Sequence, residues 1–162
     1  MWFGSYLLLS LVAVLLQMTV FPTWFGPFRP DLITVITIGV ALHRGPKLGA
    51  GAGIIGGMIT DLLTGYFLGM AALTNGLVGW IIGLLEPKFF KDNMIVPILT
   101  VVAGTLVQQV GYWLLMMAFG RTLPLGYILT QVMGPVVLCN GLVAWPIFLL
   151  IRQVEDFLAE VQ

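Results

Sequence analysis

Asp61 is the residue in this chain best placed to do chemistry. It lies inside the apolar stretch GMITDLLTG, where an ionisable group costs about 2.5–3.5 kcal/mol to insert into a bilayer and is a functional candidate by default. Three readings are open to it. It can pin the turn that follows, by hydrogen bonds to Thr60, Thr64 or the backbone amides of the next segment; it can pair with Arg29; or it can serve a substrate or a proton. Asn75, Gln108, Gln109 and Asn140 also stand in apolar runs. Such side chains commonly bond across membrane helices for about 0.6–2 kcal/mol apiece, and together they are the candidates for lining a small polar pocket. Enzyme chemistry finds little else to use. There is no paired carboxylate, no HExxH, no nucleophile beside a histidine base and no phosphate-cradling loop, so the expectation is a protein that is not an enzyme, with no catalytic residue, cofactor or metal. His43, next to Arg44, reads as a solvated interfacial residue. Cys139 is the one cysteine, which excludes an internal disulfide, and the methionines are scattered in a way that suits packing better than metal transport.

The elements that must position these residues are membrane spans. Of the 162 residues 59% are hydrophobic and only 9% charged, the mean hydropathy is +1.05, and the formal net charge is zero. This excludes a soluble domain and a nucleic-acid footprint. Residues 1–28, 93–120 and 122–151 contain no Asp, Glu, Lys or Arg, and each exceeds the roughly 20 residues that cross a bilayer core. The runs are apolar on every face, unlike the alternation of a membrane barrel. The expected fold is an all-α membrane protein, one polytopic domain over 1–162, with six transmembrane helices in a compact bundle. The spans fall at about 2–21, 31–44, 47–64, 68–86, 93–119 and 126–151, and an amphipathic tail occupies 152–162. Pro22 is expected to end the first span, with Trp2 and Trp24 as interfacial anchors. Asp31 is placed to cap the second, Glu86 to Asp92 form a loop, and Trp145–Pro146 marks a kink near the end of the last.

The third span carries the strongest pattern. Gly49, Gly53, Gly57, Asp61, Gly65 and Gly69 recur every four residues, so if helical they share a stripe of nearly bare backbone. In a soluble helix each glycine costs about 1 kcal/mol relative to alanine, whereas in a membrane small residues four apart admit a neighbouring helix. The span is therefore expected to be the central, most tightly packed one, although Gly65 can alternatively be the left-handed residue that closes it. Ala72, Gly76, Gly79 and Gly83 form a second ridge in the fourth span. With the N-terminus inside, Arg44, Lys47, Lys88, Lys91 and Arg152 fall on the cytoplasmic side and only Arg29 and Arg121 outside, as the excess of Lys and Arg in inner loops requires. A five-span alternative that fuses the second and third spans loses that bias. The acidic face of the tail favours a protein partner over anionic lipid.

FRPD at 28–31, GMITDLLTGYFLG with Gly57, Asp61, Leu62, Gly65 and Gly69 in register, and the closing NGLVAWPIFLLIRQV together resemble the rod shape-determining MreD family over most of the length. The resemblance implies a multi-pass component of the bacterial cytoplasmic membrane with both termini inside. It further implies a non-enzymatic scaffold that pairs with the single-span protein MreC, associates with MreB, RodA and a class B penicillin-binding protein, and organises lateral peptidoglycan synthesis and cell shape, arranged as a dimer of heterodimers in contact with membrane lipid. The family is also similar in fold to the substrate-binding subunits of energy-coupling-factor transporters, which supplies an alternative function as a small-molecule-binding subunit with Asp61, Gln108 or Asn140 lining the site. Those subunits dock through a small-xxx-small motif on their first helix. Here Gly4 is followed by Leu8 and Ala13 by Gln17, a departure that favours the scaffold. A third idea is an enzyme acting on an isoprenoid or phospholipid head group, which would have to rest on Asp61 and Arg29.

Overall fold

The structure, a computed structural model, describes residues 2–25, 28–65, 67–85, 95–121 and 124–160. The described secondary structure is all helical: α1 (Trp2–Phe25), α2 (Leu32–Arg44), α3 (Pro46–Thr64), α4 (Met70–Gly83) and α5 (Ile95–Ala118), then a last rod made of α6 (Leu125–Tyr127), a π-helical stretch (Ile128–Met133) and α7 (Gly134–Glu160). Six rods thus stand where six spans are expected. The loop from Glu86 to Asp92 lies outside the described residues. Three segments, Gly4–Trp24, Val96–Ala118 and Ile128–Ile151, are long and apolar enough to cross a membrane unaided. By contrast α2 and α4, with 13 and 14 residues, reach only about 20 Å at 1.5 Å per residue.

The centre of the bundle is α2, which corrects the expectation that the glycine-rich third span holds that place. Every residue from Leu32 to Leu42 is buried, because the sequence LITVITIGVAL is apolar or small on all sides and a helix of that kind has no face to give to the surroundings. Ala13 and Val14 of α1 pack against Leu32, Ile33, Ile36 and Val40. On the other side Val35, Ile38 and Leu42 meet Val78 and Ile82 of α4, Val101 of α5 and Ala144 of α7. Helix α3 instead keeps one exposed edge, Ile54, Met58 and Leu62.

The tightest contact, as the stripe foretells, is between α3 and α4. A methyl group placed on Gly49 would lie 2.7 Å from the carbonyl oxygen of Gly79, one on Gly53 2.5 Å from the carbonyl carbon of Asn75, and one on Gly57 2.5 Å from Cα of Ala72. From the other side Gly76 faces Ile54, Gly79 faces Gly49, and Gly83 faces Pro46. Each four-residue step up α3 is matched by a step of three or four residues down α4, so the two backbones run antiparallel in direct contact, close enough for Cα–H groups to reach carbonyl oxygens. Gly65 and Gly69 do not belong to this seam. They sit at φ 67° and 98°, close α3 and open α4, and have nothing within 4 Å of an added Cβ; they are turn residues, required where L side chains are strained.

One boundary also differs from expectation. Helix α1 runs through Pro22 to Phe25, because a proline removes one backbone donor, here the one that would meet the Met18 carbonyl, without ending the ladder on either side of it. Helix α7 continues through Pro146 to Glu160, so the amphipathic tail prolongs the last rod, as its near-helical apolar spacing leads one to expect. Gly53→Leu or Gly57→Leu is expected to prevent accumulation of folded protein, because the first side-chain carbon already collides with backbone. Gly51→Ala, where the added carbon meets nothing, should be neutral or stabilising by up to about 1 kcal/mol. Accumulation in membranes and the melting temperature in detergent distinguish the two classes.

Candidate functional site

A helix begins with four backbone N–H groups that have no partner inside it. At the ends of the long rods water and head groups can take them. Helices α2 and α4 start inside the protein, and their first amides are met by side chains drawn from the rest of the bundle.

At the start of α4 the partner is Asp61, which is 3% exposed. Its Oδ2 accepts from the amides of Gly69 at 2.9 Å, Ala71 at 3.1 Å and Ala72 at 3.2 Å, and its Oδ1 from Ala71 at 3.2 Å. An acid from the end of α3 therefore caps the neighbouring helix across the turn, where the positive end of the α4 dipole favours it. Of the three readings of Asp61, the pin on the turn is the one found, through the amides of the next segment. Thr60 and Thr64 bond instead to the carbonyls of Gly56 and Thr60 in their own helix.

At the start of α2 four other helices contribute. The amide of Asp31 donates to Asn140 Oδ1 of α7 at 2.7 Å, and that of Leu32 to Gln17 Oε1 of α1 at 3.2 Å. Asp31 also caps α2 as expected, its Oδ1 accepting from the Thr34 amide at 3.2 Å. The Thr34 hydroxyl lies 2.7 Å from Asp31 Oδ2 and 2.8 Å from Asn75 Oδ1 of α4. Asn140 turns its Nδ2 to Thr105 Oγ1 of α5 at 3.0 Å. The amide group of Asn140 thus bridges an incoming backbone and a neighbouring rod, and it is wholly buried.

The structure brings Asn75 and Asn140 together through Asp31 and Thr34, and sets Asp61 apart at the second helix start. Gln108 is 5% exposed and its Oε1 has no hydrogen-bond partner among the described residues; the same holds for Trp113 Nε1. By helical spacing Gln108 shares a face with Gly104 and Gly111, which approach Val78 and Thr74 of α4. Gln109 is half-buried, and Arg29 is exposed in the chain leading into α2. Gln17, Thr34 and Thr105 escaped notice as site residues. Gln17 carried a signal, a lone amide in an apolar run; the threonines carried none, because a membrane threonine ordinarily bonds its own preceding turn, as Thr74 does to Met70 O at 2.9 Å. His43 is exposed at the far end of α2, where its Nδ1 faces the Gly39 carbonyl at 2.8 Å and so carries the proton.

This arrangement consumes polar atoms. Removing the Asp61 carboxyl leaves three amides without acceptors, at about 1–3 kcal/mol each, so Asp61→Ala is expected to destabilise the fold by at least about 3 kcal/mol. Asp61→Asn keeps one acceptor oxygen and should lose less than half as much. Melting in detergent measures both, and equal behaviour of the two variants would contradict the capping role.

No solved structure matches the chain. Residues 2–156 match the model of the family described as rod shape-determining protein MreD. That match takes in all six rods, both buried helix starts and the glycine seam, and on it the chain belongs to the MreD family of rod shape-determining proteins, as a multi-pass membrane protein with a role in rod shape determination.

Proposed function

We propose that this protein is a non-enzymatic scaffold of the cell-elongation machinery in the cytoplasmic membrane. It holds the single span of MreC against its apolar exterior and so helps to organise lateral peptidoglycan synthesis alongside MreB, RodA and a class B penicillin-binding protein. One observation carries this reading: the acid and the amide best placed for ligand chemistry, Asp61 and Asn140, spend their polar atoms on the protein's own helix starts and rods. What the bundle then offers its surroundings is a stiff framework with an apolar surface. A small-molecule-binding subunit would need those same groups turned to a ligand, and an enzyme acting on a lipid head group would need Asp61 free to exchange a proton.

Both termini lie in the cytoplasm in this reading, with Arg44 and Lys47 inside and Arg29 and Arg121 outside. The contacts suit that arrangement. Arg121 after α5 sits 5.3 Å over the ring of Phe67 in the α3–α4 turn, so those two connections share a side, and Gly83 meets Pro46 at the opposite end of the α3–α4 pair. Reporter fusions after Lys47 and after Arg121 should read cytoplasmic and external respectively; the same side for both would remove the six-span topology.

The scaffold is tested by co-expression with MreC. The two proteins are expected to purify as one complex, and Asp61→Asn, if it accumulates normally, is expected to support rod shape as the unaltered chain does. Round cells from an Asp61→Asn protein that still accumulates and still binds MreC would favour a substrate or proton role. Failure of the unaltered pair to co-purify would count against the scaffold.

A further inference from the structure

Gln108 of α5 is 5% exposed, and its Oε1 meets no hydrogen-bond donor of the protein. A buried amide oxygen in that state costs about 1–3 kcal/mol, and the bilayer core supplies no bulk solvent to relieve it. Its surroundings hold unspent donors. Thr105 stands three residues earlier on the same face of α5 and is wholly buried. Its Oγ1 accepts from Asn140 Nδ2 at 3.0 Å, which leaves the hydroxyl hydrogen to be given elsewhere. Asn75 comes from across the interface. Gly104 and Gly111, on either side of Gln108 along α5, lie 3.5 and 3.4 Å, measured from an added Cβ, from Val78 and Thr74 of α4, so Gln108 is level with the buried Asn75. Asn75 Oδ1 lies 2.8 Å from the Thr34 hydroxyl, and its Nδ2 carries two further donors.

We propose that Gln108, Thr105 and Asn75 form a binding site for one water molecule, which donates to Gln108 Oε1 and accepts from the Thr105 hydroxyl and from Asn75 Nδ2. Two features select that occupant. The first is size. One turn to either side of Gln108 a single added carbon on α5 is already in van der Waals contact with α4, so the interface closes around anything larger. The second is chemistry. An amide oxygen needs a donor, whereas a hydroxyl hydrogen and an amide nitrogen need an acceptor, and water is the smallest molecule that is both; three bonds is also the usual number for a water buried in protein. The bound water closes the polar groups of the α2 start into a ring. Asp31 is joined through its amide to Asn140 and through its carboxyl to Thr34, Asn140 to Thr105, and Thr34 to Asn75; the water links Thr105 to Asn75. Gln108 is then a positioning residue that holds α5 against α4 through that water.

The test begins with an experimental structure of the full-length protein at about 2 Å resolution or better, in which a single density peak is expected within about 3.2 Å of Gln108 Oε1, Thr105 Oγ1 and Asn75 Nδ2. A protein donor found directly on Gln108 Oε1, or no peak between the three side chains, would overturn the site. Melting in detergent gives a second reading. Gln108→Met keeps the length of the side chain and drops its amide, and it is expected to lower the melting temperature by about 2–4 °C, as for one lost buried hydrogen bond. An amide that met nothing would give the opposite result, an unchanged or higher melting temperature, and that outcome would contradict the proposal. Gln108→Met should cost little when Thr105→Val has already removed the bridging hydroxyl, and its full amount beside Thr105→Ser, which keeps it. An equal cost in both backgrounds would also overturn the site. Should the Thr105 or Gln108 variants not accumulate, the density in the unaltered protein decides.

Discussion

The constraint on which this structure depends is that two of its helices are shorter than a bilayer core is thick and begin inside the protein. A backbone amide left without an acceptor in an apolar interior costs more than most single contacts return. The N-termini of α2 and α4 present such amides, and among the described residues side chains supply acceptors for most of them. Asp61 meets three amides of α4 from the end of the neighbouring helix. Asn140, Gln17 and Asp31 meet those of α2 from two other helices and from the cap position itself. Because these acceptors stand on different rods, satisfying the amides also fixes how the rods are placed. The caps supplied by Asp61, Asn140 and Gln17 are therefore tertiary contacts, and each ties the position of a short helix to that of a neighbouring rod.

The glycine seam follows from the same arrangement. Asp61 can reach Gly69, Ala71 and Ala72 only if α3 and α4 lie almost backbone to backbone, and Gly49, Gly53 and Gly57 facing Gly79, Asn75 and Ala72 make that approach possible. Larger side chains on α3 would separate the helices and draw the carboxyl away from its donors. Dispersion and Cα–H contacts along the seam hold the pair together, and the polar cap at its end sets the register. In lipid, where apolar burial gives helices little reason to associate, this division of work between close packing and a few satisfied hydrogen bonds is what remains available.

Much of this was legible in the residues. Four-residue spacing of glycine named the α3 face of the seam, an acid in an apolar run named the pin, and Asp31 before an apolar stretch named a cap. The misreadings have physical causes. Spacing alone could not say where helix α3 stops, so Gly65 and Gly69 looked like members of the stripe although their positive φ makes them turn residues. The density of glycine drew attention to α3 as the centre, whereas centrality belongs to α2, whose β-branched and small residues are buried on every side; apolar on all faces is the ordinary appearance of any membrane span, so the one surrounded by protein does not stand out. Pro22 looked like an end because proline ordinarily stops a helix, whereas here the helix continues past the one donor it lacks. The π-helical stretch Ile128–Met133 had no signal in the sequence that we can name.

Membership of the MreD family gives the fold its biological setting, rod shape determination, and the caps explain how a protein with so few charged groups keeps a defined shape in lipid. The most direct measurement of the central claim is residue-resolved hydrogen exchange on the detergent-solubilised protein, comparing the amides of Gly69, Ala71 and Ala72 in the unaltered chain and in Asp61→Ala. The account predicts that these three are protected in the unaltered protein and exchange at least about tenfold faster in the variant, while the amides of Asp31 and Leu32, held by Asn140 and Gln17, stay protected. Fast exchange of the three amides in the unaltered protein, or protection that survives loss of the carboxyl, would contradict it.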